Sequence, residues 1–124
     1  MTTDKILKAL QNVLDPGERP LITFKTAWKP KFSTPTLWLS ATHNRLLLFS
    51  TLGGGTVFIE AKFTQINAVI TEQGGRLIKV LFWDPKNEDL SFTVDDSVSP
   101  DQVKKLLDEV RNRLSDSGGS PQRT

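Results

Sequence analysis

Apolar residues recur three and four apart at both ends of the chain, and two apart or in unbroken runs between them. Near the N-terminus, Ile6, Leu7, Leu10, Val13 and Leu14 share one side of a helical wheel, while Asp4, Lys5, Lys8 and Gln11 fill the other. This spacing predicts a helix over 3–14, stopped by the turn sequence Asp15-Pro16-Gly17-Glu18. A helix shorter than about 12–15 residues is marginal alone in water, so its apolar stripe must dock on something. From residue 20 to residue 94 the period changes to that of strands. Pro20 to Thr26 is the first strand, and Trp38-Leu39-Ser40-Ala41 and Arg45-Leu46-Leu47-Leu48-Phe49-Ser50 flank the turn Thr42-His43-Asn44 as a hairpin. Leu46 to Phe49 is too continuously apolar for a strand with one wet face, which puts the hairpin in the middle of a sheet.

Four further strands follow. Leu52-Gly53-Gly54-Gly55 reads as a flexible connection into Thr56 to Glu60, and Gln65 to Thr71 alternates Ile66, Ala68 and Ile70 with Asn67, Val69 and Thr71. Gln73-Gly74-Gly75 and Asp84-Pro85-Lys86-Asn87 turn the chain into Arg76 to Trp83 and then Leu90 to Val94. The final helix, 100–114, has a well-marked start. Ser99 is its N-cap, Pro100 its first residue, Gln102 completes a capping box, and Val98 and Val103 sit at hydrophobic-staple spacing. Val103, Leu106, Leu107, Val110 and Leu114 form its apolar stripe. Residues 116–124 carry no apolar side chain and read as a disordered tail. The pattern is one domain over 1–115, mainly β with flanking helices, its consecutive hairpins favouring an antiparallel, bent sheet or barrel capped by the last helix.

Composition changes this picture little. A chain of 124 residues with 37% hydrophobic and 24% charged residues buries a core without metals or disulfides, and it contains no cysteine. No apolar run nears the roughly 20 residues of a membrane span, and no secretory leader is recognisable, so a cytoplasmic location is expected. The net charge of +2 is uneven: residues 1–86 hold eleven Lys/Arg against six Asp/Glu, and residues 87–124 hold five against eight.

The residues also carry a resemblance. Asp15-Pro16-Gly17-Glu18 before the first strand, then Leu39-Ser40-Ala41-Thr42-His43-Asn44-Arg45-Leu46-Leu47-Leu48-Phe49, resembles bacterial pleckstrin-homology-like domains and their GRAM-like relatives, and Ile66-Asn67-Ala68-Val69 resembles the next part of that pattern. The chain departs from it at His43, where the family usually has Asp; Thr42 and Asn44 are the residues placed to make the turn hydrogen bond instead. The resemblance covers roughly residues 13 to 115. It implies a seven-stranded antiparallel barrel capped by a C-terminal helix, and protein or lipid binding as the function.

Two surfaces are candidates. The first is Lys25, Trp28, Lys29, Lys31 and Phe32, in and beside the first loop, which the resemblance implies as a site for anionic lipid headgroups. Three lysines at about 1 kcal/mol each give a weak, salt-sensitive attraction. The basic pair that phosphoinositide-binding members place at the second strand is absent, those positions reading Thr36-Leu37-Trp38-Leu39. The second is Trp38 with Phe49: if Leu37, Leu39 and Leu48 face the core, these two aromatics face outward as an apolar patch suited to a protein partner or a second copy.

Catalysis has little to work with. His43 is the only histidine and lies in a turn; Asp95 and Asp96 suit the start of the last helix; Gly53-Gly54-Gly55 lacks the Lys and helix of a phosphate loop. Lys25, Lys29, Lys31, Lys62 and Arg76 form no recognised nucleic-acid motif. The expectation is a non-catalytic interaction module without metal or cofactor, engaged in protein contact or self-association. The alternative is a peripheral membrane domain using the first loop. No nucleic-acid partner is expected.

Overall fold

The computed structural model describes residues 2–29 and 32–116. Helix α1 (Thr2–Val13) leads into strands β1 (Pro20–Lys25), β2 (Trp38–Thr42), β3 (Arg45–Ser50) and β4 (Thr56–Lys62). Strands β5 (Ile66–Glu72), β6 (Leu77–Phe82) and β7 (Leu90–Thr93) follow, and α2 (Pro100–Asp116) closes the fold. Seven antiparallel strands between two helices is the expected order. They form two sheets, β1-β2-β3-β4 and β5-β6-β7, rather than one closed barrel. The sheets meet at one corner, where Thr26 and Val94 form an isolated bridge, Ala27 N–H donates to Thr93 O and Asp95 N–H donates to Lys25 O.

The main core lies between the sheets and under α2. Phe24, Leu39, Leu48, Ile66, Val80 and Phe92 are buried there, against Val103, Leu106, Leu107 and Val110 of α2. Burial of each such side chain contributes about 1.5–3 kcal/mol, which is what holds a 17-residue helix across the sheets. The α2 start is built as the sequence indicates: Ser99 N–H donates to Gln102 Oε1 at 3.0 Å, Gln102 N–H donates to Ser99 Oγ at 3.3 Å, and Val98 and Val103 are both buried. The helix runs two residues past the expected end. The rest of the expected tail, from residue 117, lies outside the described residues.

β3 is buried along its whole length. Leu46 and Leu48 point into the main core, whereas Leu47 and Phe49 point to the opposite face of the sheet, and α1 lies across that face. Ile6, Ala9, Leu10 and Phe49 form a second apolar cluster with Val13, Leu14 and Trp38 at its margin. Three local features depart from the sequence pattern. A bulge between Ile66 and Ala68 shifts the alternation of β5, so Ile66 and Val69 are buried instead of the expected Ile66-Ala68-Ile70 set. The stretch from Leu52 to Gly54 is a 3-10 turn rather than a loose linker. Gly55, at φ 134°, packs directly under α1: a Cβ there would lie 2.7 Å from Ala9 O.

Candidate functional site

The turn that ends α1 and the β2–β3 hairpin meet in a buried polar node. Glu18 is almost fully buried, and its carboxylate accepts from Arg45 Nε at 2.9 Å, Arg45 Nη2 at 2.7 Å, Thr42 Oγ1 at 2.7 Å and Asp15 N–H at 2.9 Å. Arg45 also donates to Glu60 Oε2 at 2.8 Å and to Val13 O, a carbonyl left open at the end of α1, at 3.1 Å. The forked pair with Arg45 holds the Glu18 carboxyl down at about 2 against the opposing cost of burial, with Asp15 N–H and Thr42 helping. Arg45 is held above its ordinary range by the same pair and by Glu60. Thr42 Oγ1 accepts from both Asn44 N–H and Arg45 N–H at 3.1 Å, supplying the turn hydrogen bonds while His43 stays exposed. The node ties helix, hairpin and β4 together, and every partner is already satisfied. It positions α1, and among the described residues no buried side-chain nitrogen or oxygen is left without a partner.

α1 sits over β3, β4 and the Leu52–Gly54 turn, to which Asn12 Nδ2 donates at Gly54 O (2.6 Å). The outer face toward β1 is therefore left open. A groove of about 410 Å³ lies there, with Ile6, Leu7 and Leu10 of α1 on one wall, Pro20 to Thr23 of β1 on the other and Trp38 at its floor. It continues past Leu7, Leu10 and Pro20 into a second concavity of about 360 Å³ beside Gln11, Leu14 and Asp15. Leu7 is 52% exposed on the lip. β1 is the edge of its sheet. Thr26 N–H points to β2, where it meets Leu37 O, so by two-residue alternation the main-chain groups of Thr23 and Lys25 point to the other edge; at Lys25 that edge meets Asp95.

This geometry separates the two aromatics expected on one surface. Trp38 and Phe49 are cross-strand partners on the outer face, as the alternation requires. Phe49, however, is completely buried beneath α1, so it is not part of any open patch. Trp38 is half-buried and remains at the groove. The apolar stripe of α1 and the outward aromatics are two halves of one contact within the chain. The sequence shows each half separately, as an undocked helix stripe and an outward aromatic pair, and the fold brings them together.

The first loop is also partly committed to the fold. Trp28 packs on Phe92, ring centroids 5.9 Å apart, and leans on the main core. Lys29 Nζ donates to Thr34 O at 3.2 Å, and Lys25 lies 3.9 Å from Asp95. The Asp95 carboxyl is held below its ordinary range, first by the Ser97 hydroxyl and amide and then by Lys25 and Arg76. Phe32 is fully exposed. Lys31 lies outside the described residues. Arg76 is engaged with Asp96 at 3.1 Å and with the Val94 and Val98 carbonyls. Leu52, Val57 and Phe58 are further exposed apolar side chains, near and along β4 at the far edge of the sheet. Among the described residues no cluster of His, Asp or Glu is arranged to hold a metal ion, and no helix is long and apolar enough to cross a membrane.

No protein-family model matches the chain, and no curated protein matches it. Solved structures do. The C-terminal domain of an unknown protein from Leishmania infantum superposes with a TM-score of 0.62 at 20% identity, covering 90% of this chain and 99% of that one. The linker-DH/PH domains of p115-RhoGEF give 0.60 at 9% identity over 90% of this chain and 33% of that one, so this chain spans a third of that multidomain fragment. The N-terminal PH domain of human ARAP2 gives 0.55 at 12% identity over 82% of each chain. The likeness is one of fold. It establishes a PH-like architecture of two antiparallel sheets and a C-terminal helix.

Proposed function

We propose that this domain is a non-catalytic protein-interaction module that binds an extended segment of a partner protein along the outer edge of β1. The observation that carries the reading is the groove between α1 and β1. It joins an apolar concavity, floored by Trp38, to an edge strand whose Thr23 main-chain groups point away from β2. Strand addition at such an edge supplies main-chain hydrogen bonds, and alternate side chains of the added segment drop into the groove. Glu18, Thr42 and Arg45, which carry the resemblance to bacterial PH-like and GRAM-like domains, support placing the chain with them; here they hold α1 as one wall of the groove.

The test is a selection of displayed random peptides on the full chain, followed by affinity measurement on Leu21→Lys and Trp38→Ala. The reading predicts selected peptides that lose at least tenfold in affinity on either variant. Peptides bound equally well by both variants place the contact elsewhere. A native mass measurement on the same sample shows whether the partner is a second copy.

A second reading rests on Phe32, fully exposed at the first loop beside Lys29. An aromatic that enters the interface with basic neighbours is the arrangement of a peripheral membrane contact. Sedimentation with neutral and anionic vesicles distinguishes the two. The protein-binding reading predicts equal sedimentation with both, whereas binding to anionic vesicles alone, lost in Phe32→Ala, transfers the function to the loop.

A further inference from the structure

We propose that α1 is a strap that lifts from the sheet as one unit, hinged at residues 15–17, while the seven strands and α2 stay folded. Its apolar contacts form their own cluster, Ile6, Ala9, Leu10 and Phe49, separate from the main core beneath the sheet. Lifting α1 opens that cluster and leaves the other intact. The chain is anchored on the domain side of the hinge by Glu18, which Arg45 and Thr42 hold in the buried node. The segment before Glu18 is Asp15-Pro16-Gly17, with Gly17 at φ 81°, so the lever begins where the anchor ends.

Only a few ties oppose the motion besides the apolar cluster. They include the Arg45 donation to Val13 O, the Asp15 N–H donation to Glu18 Oε1 within the hinge turn, the Asn12 donation to Gly54 O, and the close seat of Ala9 on Gly55. The wall of α1 toward β1 faces the open groove, with Leu7 already half in solvent. Opening bares Phe49 and Trp38, an apolar cross-strand pair on the outer face. A 12-residue helix without its docking surface is marginal, so the lifted strap also loses helical hydrogen bonds. Such sub-global openings have lower free energies than global unfolding and are read by native-state exchange.

The experiment is amide hydrogen exchange on the full chain at increasing, subdenaturing urea. The expected result is one shared rate for the amides of Ala9 to Val13, at least tenfold faster than those of Leu46 to Phe49, with a smaller urea dependence. Leu10→Ala should speed the α1 amides at least tenfold and leave β3 unchanged. Asn12→Ala, which touches only a surface hydrogen bond, serves the same comparison should Leu10→Ala unfold. Equal rates and urea dependence for α1 and β3, both accelerated together by either variant, overturn the proposal. So does a graded rise in rate toward the N-terminus, which is fraying rather than lifting.

Discussion

Replacing Glu18 by Gln keeps the shape of the side chain and removes its charge from the buried node. The carboxylate now accepts four hydrogen bonds, two of them from Arg45. A carboxamide has one acceptor oxygen, and its NH2 group must face a donor. Removing one member of a buried ion pair costs about 3–5 kcal/mol. Arg45 keeps Glu60 at 2.8 Å, so the lower end, about 3 kcal/mol, is expected, or roughly a 10 °C fall in melting temperature at pH 7 for a domain of this size.

The pH dependence checks the same node independently. The Glu18 carboxyl is lowered from 4.5 to about 2 in the folded chain. A depressed carboxylate contributes stability that is fully present above its unfolded value and is lost as pH falls through the folded one. Wild type should therefore lose about 3 kcal/mol through this group between pH 5 and pH 2, and Glu18→Gln should lack that component. Urea unfolding of both proteins at pH 7, 5, 4 and 3 gives the difference directly, since the other carboxylates are common to both. A variant within about 1 kcal/mol of wild type at pH 7, with an unchanged acid slope, would mean that the Glu18 carboxylate does not stabilise the node.

Two smaller changes test the two helix attachments. Gly55→Ala places a Cβ against the Ala9 carbonyl at a backbone angle that L residues rarely adopt; a loss of about 1–3 kcal/mol in thermal unfolding is expected, and none at all would mean that α1 is not seated there. Ser99→Ala removes the cap of α2 and should cost about 1 kcal/mol by urea unfolding, with an unchanged urea dependence.

The elements were legible in the sequence because their signals are local: the capping box at Ser99, the turn residues between strands, and the alternation within them. Three things were not. The β5 bulge moves Val69 inward, a shift set by pairing with β6 that no pattern within β5 announces. The glycines at 53–55 signal conformational freedom, but only the tertiary structure shows that Gly55 serves to admit α1. The Glu18–Arg45 pair spans 27 residues, and its parts are visible separately as a turn and a hairpin. Phe49 shows the same division: alternation gives its face, and the docking of a distant helix decides that the face is covered.

Backbone amide shifts of the full chain, recorded while a peptide selected on it is titrated in, locate the bound segment. A segment added at β1 should shift Leu21 to Phe24, Leu7 and Leu10 of α1, and the Trp38 indole most. Shifts confined to the loop that carries Trp28 and Phe32, or to β4 around Val57 and Phe58, would contradict addition at β1.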